Sequence, residues 1–303
     1  MRSRTAAEPR PAVLPLPGGR EGANVRVRPL LCGLMRGPSA AFLRERGRLA
    51  RWHALGVGVP RDGWLELPLV AFLVEHPEAG LILVDTGLHP SVAVDPKENL
   101  GRAFTFAHRD FRMRPEQAVA AQLRASGREA ADVKVVVMTH LHADQAGAMS
   151  EFPEATFVFS SAEWEGATGH GQRHGYVRRQ FDHAFDYRLL DFGGGSADSY
   201  SSFGRAVDLL GDGSVRLAFT PGHTLGHLSV VLRTRSREVF LAGDAISLER
   251  NLRERHPPGR LEDEHLYHRS LREIELYARE APGALIVPGH DLAFWKRLEP
   301  LLE

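Results

Sequence analysis

The chain has 303 residues, 43% hydrophobic and 25% charged, which is the make-up of a soluble globular protein able to bury one large core or two modest ones. Lysine plus arginine and aspartate plus glutamate both total 38, so no net field attracts nucleic acid or an anionic membrane, and a small-molecule partner is expected. One cysteine, Cys32, excludes an internal disulfide and a cysteine-based zinc site, no apolar run reaches the ~20 residues of a membrane helix, and the opening lacks a signal peptide's apolar middle; a cytoplasmic protein is expected.

Residues 1–24 carry Pro9, Pro11, Pro15, Pro17 and Gly18-Gly19 without periodicity, and read as a mobile tail. Residues 25–303 then show no composition break and no repeat, so one domain is the economical division. Residues 25–34 suit a first strand, and the Arg-rich stretch 38–58 is weakly helical. Two apolar runs, 64–74 and 81–84, flank the turn-like 76–80 and predict a β-hairpin ending in Asp85-Thr86-Gly87. Pro115 near the start and Gly127 past the end frame a helix over 114–126. Strands follow over 133–138 and 156–160, with a helix near 162–166. Residues 192–202 are loop-like in composition, and the loop from 192 to 204, with Tyr200 and Phe203, reads first as a solvent loop and second as a pocket wall. Strands are predicted over 215–220, 228–232, 239–241 and 284–287, and a long helix over 262–279.

Four of these strands run directly into chemistry. Residues 133–138 end at Thr139-His140-Leu141-His142-Ala143-Asp144-Gln145, 215–220 at His223, 239–241 at Asp244, and 284–287 at His290. Histidine and carboxylate at strand ends beside glycines, where the backbone can approach an ion, point to a hydrolytic metal site.

With 65–87, THLHADQAG (139–147), TPGHTLGH (220–227), AGDA (242–245) and PGHD (288–291) in this order, the chain resembles the metallo-β-lactamase superfamily, and more closely its N-acyl-homoserine lactonase branch, over about residues 60–300. The resemblance implies an αββα sandwich in the α/β class: two mixed β-sheets flanked by helices, with a dinuclear zinc site at their edge. His140, His142 and His223 would hold the first metal, Asp144 and His290 the second, and Asp244 would bridge them. A metal-bound hydroxide would attack an ester or lactone carbonyl, and Asp144 could relay the proton to the leaving group. Asp85 reads either as a support for a ligand histidine or as a turn cap, and His227 as a support rather than a ligand.

Two departures from the pattern matter. Gln145 stands where the family has a histidine, and an amide oxygen is a weaker zinc donor than imidazole. Three readings stay open, in this order: a weakened but occupied second site, with Gln145 ligating through oxygen and favouring Fe or Mn; a mononuclear enzyme; or replacement by His170, His174 or His183. Ser247 stands where the lactonases carry a tyrosine that assists the ring carbonyl, and a serine hydroxyl is too short for that reach. The expected function is therefore a lactone-opening metallo-hydrolase, with N-acyl-homoserine lactones as candidate substrates and quorum quenching as the role. The alternatives are another hydrolase on the same scaffold (β-lactam, thioester or other cyclic ester) or a degenerate member that only binds ligand. A homodimer is compatible with the sequence.

Overall fold

The structure is a computed structural model, and it describes residues 6–107, 110–169, 175–194 and 197–303. Seven strands, β1 (Arg10–Pro11), β2 (Arg26–Pro38), β3 (Trp64–His76), β4 (Gly80–Val84), β5 (Val133–Val137), β6 (Thr156–Ser160) and β7 (Asp186–Leu190), form a sheet in the order β1-β7-β6-β5-β4-β3-β2. Six more, β8 (Asp198–Tyr200), β9 (Phe203–Asp208), β10 (Val215–Phe219), β11 (Leu228–Arg233), β12 (Glu238–Leu241) and β13 (Leu285–Val287), form a second in the order β13-β12-β11-β10-β9-β8. Both are mixed. In the first, β2, β3 and β4 pair antiparallel while β4 to β7 run parallel; in the second only β12 and β13 pair parallel.

The period of two along each strand builds the layers. Phe72 and Val74 of β3 join Leu217, Val230 and Leu241 in the core between the sheets, while their neighbours Ala71 and Leu73 face Val119 and Leu123 of the helix Val119–Ala125. On β5, Val133 and Val135 face opposite sides despite their even spacing, because a register shift between Leu81 and Ile82 turns the strand over. The outer face of the second sheet, with Ala218, Val231 and Phe240, packs on Tyr267, Leu271, Ile274 and Tyr277 of the helix Glu264–Glu280. Each such buried side chain is worth about 1.5–3 kcal/mol relative to exposure. The result is the expected αββα sandwich.

Three sequence expectations are corrected. The opening segment is not a free tail over its described part: β1 pairs with β7, Ala12 N–H donates to Leu189 O (2.8 Å), and Leu16 N–H donates to Leu209 O (2.8 Å). Backbone hydrogen bonding to a sheet edge needs no apolar periodicity, so composition missed it. Tyr200 and Phe203 do not lie in an open loop either, and Phe203 does not wall a pocket. Asp198–Tyr200 and Phe203–Asp208 are strands, Phe203 is fully buried against Phe240 and Tyr277, and the Tyr200 hydroxyl bonds Glu238. The helix over 114–126 is split, with a 3-10 turn at Pro115–Gln117 before Val119–Ala125.

Strand direction collects the site. β10 and β12 both run antiparallel to β11, hence with each other, and β13 runs with β12; β4 and β5 are likewise parallel. The loops after these five strands therefore open on one edge of the sandwich, where Leu228 N–H donates to Thr139 O (3.0 Å) across the two sheets.

Candidate metal centre

The loop after β5 carries His140, His142 and Asp144, and the loop after β10 brings His223 to them. One ligand atom from each of His140, His142 and His223 lies within 4.8 Å of the others. His223 Nε2 faces His142 Nδ1 at 3.0 Å and Asp244 Oδ2 at 3.1 Å. On the other side of Asp244, its Oδ1 faces His290 Nε2 at 2.9 Å, and Asp144 Oδ2 is 3.5 Å from the same nitrogen. His290 Nδ1 donates to Pro68 O (3.0 Å), which leaves Nε2 free to face the two aspartates.

The six side chains form two sets sharing Asp244, one oxygen turned to each. His140 Nε2, His142 Nε2 and Gln145 Oε1 are buried without a hydrogen-bond partner among the described residues, and Asp244 Oδ1 meets only His290. An orphaned buried polar atom costs about 1–3 kcal/mol, so three at one sheet edge mark a place built for something else to bind. Their chemistry, imidazole nitrogen and carboxylate or amide oxygen, is that of a divalent metal.

Electrostatics follow the same division. Burial, with the charges of neighbouring histidines, holds His140 and His142 well below the usual imidazole range. Burial works against charge on His290 as well, but Asp244 and then Asp144 push it up to about 10. Burial raises the Asp144 carboxyl to about 6, against the pull of His290 and a hydrogen bond from the Gln145 side chain. Burial also opposes the Asp244 charge, yet His290 and His223 hold its carboxyl well below the carboxylate range.

The supporting residues divide by what they touch. Both Asp85 oxygens accept from Thr139, one from N–H (2.8 Å) and one from Oγ1 (2.8 Å), and Thr139 Oγ1 meets His140 Nδ1 at 3.1 Å. Asp85 thus reaches the ligand histidine through Thr139 rather than directly, and it holds a left-handed backbone (φ 59°) to do so. His227 has no nitrogen left for a metal. Ser229 Oγ donates to Ala242 O (3.0 Å), so Thr220 Oγ1 donates to Ser229 (2.8 Å) and must accept from His227 Nδ1 (2.9 Å). That leaves His227 Nε2 to accept the Asp244 N–H (3.0 Å), fixing the loop that carries the shared carboxylate. Ser247 is buried beside the site, where its carbonyl accepts the His290 N–H (2.8 Å). His183 stacks on Phe185 and bonds Gln180 O; His170 and His174 lie outside the described residues.

Glu163, which sequence reasoning passed over, ties the two histidine loops together. Its oxygens accept from Leu141 N–H (2.8 Å) and Thr224 Oγ1 (2.6 Å), one bond into each loop. The chain presses so close that a Cβ at Gly226 would fall 2.0 Å from Glu163 N. Burial raises this carboxyl to about 7, although both bonds favour the charged form. Tyr176 packs on the His142 ring with centroids 4.8 Å apart, and Phe42 on His290 at 6.2 Å. Nothing local in the sequence signals these contacts, which span 22 to 248 residues.

A profile of the metallo-beta-lactamase superfamily matches residues 66–290, most of the chain and all six side chains of the two donor sets. The chain belongs to this superfamily. An N-acyl homoserine lactonase AttM of Agrobacterium fabrum is 34% identical over 259 residues, covering 84% of this chain and 94% of that protein. A probable metallo-hydrolase of Mycobacterium tuberculosis is 33% identical over 264 residues, covering 81% of this chain and 82% of that protein. Among solved structures, an N-acyl homoserine lactone hydrolase with the product N-hexanoyl-L-homoserine at its catalytic metal centre matches with a TM-score of 0.72 at 22% identity, over 90% of this chain and 96% of that one. Superfamily membership implies metal ions, and the orphaned donor atoms fit that group.

Proposed function

We propose that this protein is a metal-dependent hydrolase that opens lactone rings, with N-acyl homoserine lactones as the substrate class. One observation carries the reading: two donor sets share Asp244 on one sheet edge, in a chain 34% identical over most of its length to a protein named for that activity. His140, His142 and His223 would hold one ion, Asp144 and His290 a second, and Asp244 both. Zinc suits the nitrogen-rich first set; the second, with Gln145 Oε1 as a further oxygen donor, suits zinc, Fe or Mn. When bound, such ions polarise a carbonyl and supply a nucleophilic water near neutral pH.

The chain's own residues do the rest. Asp144 is assigned to pass the proton to the leaving alkoxide, because its approach to His290 is long (3.5 Å) and leaves the carboxylate able to take up and give a proton. The Thr139–Asp85 pair and the Thr220–Ser229 relay hold His140 and Asp244 rigidly, which keeps the donor geometry from relaxing between turnovers. The buried Cys32 thiol suits a reducing compartment such as the cytoplasm, where degradation of an acyl-homoserine signal is the role to test.

A second reading, another cyclic ester, thioester or β-lactam as substrate, is favoured by Ser247, whose carbonyl is committed to His290 and whose side chain is too short to replace a tyrosine. Metal analysis of the purified protein, with ring-opening assays on lactones of several acyl lengths, a thioester and a β-lactam, separates the two. One to two metals per chain and preference for acyl homoserine lactones are expected. Fewer than one metal and no hydrolysis would overturn both.

A further inference from the structure

Among the described residues, Arg260 is a cation whose charge reaches two of the candidate ligand histidines and which the mechanism leaves unused. The loop carrying it is clamped on both sides: Gly259 N–H donates to Ala41 O (2.9 Å), and Glu262 N–H donates to Gly222 O (3.0 Å) and approaches His223 O (3.2 Å). A Cβ at Gly259 would lie 2.0 Å from Ala40 O, so the loop backbone packs directly on this segment where only glycine fits. Arg260 is thereby held beside the His223 loop, half-buried, and its charge is felt by both His142 and His223.

Among the described residues it has no hydrogen-bond or ion-pair partner, and burial alone lowers its guanidinium. The acids nearest to it along the chain are otherwise engaged. Glu249 pairs with Arg297, Glu254 with Arg250, Glu264 with Arg44 and Glu275 with Arg255. Glu262 accepts from Leu225 N–H (2.8 Å), and Asp263 caps the helix Glu264–Glu280 through Leu266 N–H (2.8 Å). A partly desolvated guanidinium without a counter-ion beside a hydrolytic centre is a receptor for an anion that arrives with the ligand.

We infer that Arg260 is a recognition residue for the carboxylate that ring opening creates, pairing with the hydroxy-acid product and so favouring the charged end of the reaction over the neutral lactone. This rests on the lactone-hydrolase reading, because hydrolysis of a lactone turns a neutral ester into a carboxylate and an alcohol. A planar guanidinium offers two parallel N–H groups to such a carboxylate, which an ammonium imitates in charge only.

Calorimetric titration of the metal-loaded protein with N-hexanoyl-L-homoserine tests this in wild type, Arg260→Lys and Arg260→Gln, with metal content and melting temperature recorded for each. The expected result is product binding weakened about tenfold or more by Arg260→Gln and substantially restored by Arg260→Lys, with binding of a neutral, non-hydrolysable lactam analogue changed less than about twofold. Unchanged product binding in Arg260→Gln, or equal loss of product and lactam, would overturn the inference. Propionate separates it from the substrate reading. If propionate binds with the same Arg260 dependence while N-hexanoyl-L-homoserine does not bind, the anion receptor stands and the acyl-homoserine substrate falls.

Discussion

Two buried histidine–aspartate pairs sit at opposite ends of the sandwich, and they are built for opposite purposes. His76 and Asp212 meet at 3.0 Å, His290 and Asp244 at 2.9 Å, all four side chains at most 7% exposed. Because β3 runs antiparallel to β4, His76 lies at the edge away from the metal centre, where the turn before β10 carries Asp212. There the valences of the two paired side chains close. His76 Nδ1 accepts from Glu78 and Ala79 N–H, Nε2 is left to donate to Asp212, and Asp212 also accepts from Arg20 and Ser214 N–H. Beside the other pair, two imidazole nitrogens, His140 Nε2 and His142 Nε2, remain unpartnered among the described residues. The same residue types thus make a staple at one edge and a receptor at the other, and unsatisfied valence, not residue identity, tells them apart.

Replacing the aspartate of each pair should break the comparison most sharply. Asp244→Ala removes the carboxylate shared by both donor sets, so lactone hydrolysis should fall by roughly three orders of magnitude or more, with metal content reduced. Asp212→Ala leaves the His76 and Ser214 donors unpaired away from bulk water, so it should cost about 1–3 kcal/mol of stability by chemical denaturation while kcat and metal content per folded molecule hold steady. Equal loss of metal in both variants would show that the two edges are not independent.

Between these extremes lies Glu163, which binds no candidate ligand directly but holds both histidine loops. Glu163→Ala should weaken metal affinity about 10- to 100-fold, measured by chelator competition, because support of this kind orients ligands without supplying one. Gln145→His should have a smaller effect, raising metal content towards two per chain; unchanged content would remove Gln145 from the account of the second set.

How far such features can be read from sequence depends on the range of the contacts behind them. The strand ends bearing His140, His223, Asp244 and His290 were legible because a short β-branched run followed by Gly, His or Asp is a local signal. The sandwich followed from the resemblance to the metallo-β-lactamase superfamily that those motifs carry. Glu163 was not legible, since its two bonds reach 22 and 61 residues away and its helix, Ser161–Thr168, looks ordinary. The role of Arg260 is equally silent, because it depends on where six acids elsewhere spend their charge. The opening segment misled for another reason: its pairing with β7 is made by backbone groups that every sequence possesses.

The smallest expected effect concerns acid, and it tests the closed pair alone. Burial opposes the Asp212 charge, but hydrogen bonds from Ser214, Arg20 and His76 outweigh it and hold the carboxyl down at about 2, against 3.8 for an unperturbed aspartate. A carboxyl whose pKa is lower folded than unfolded binds more protons in the unfolded chain. Its contribution to stability is therefore complete above the unfolded value and lost as pH falls through the folded one. The melting temperature of the wild-type protein should decline between about pH 4 and pH 2 more steeply than that of Asp212→Asn, which has no proton to take up. The comparison is cleanest on metal-free protein, because ligand protonation at the opposite edge then releases no ion to shift the folding equilibrium. Parallel declines in the two proteins would mean that Asp212 is not held below its ordinary pKa, and that the closure of this pair is weaker than its geometry indicates.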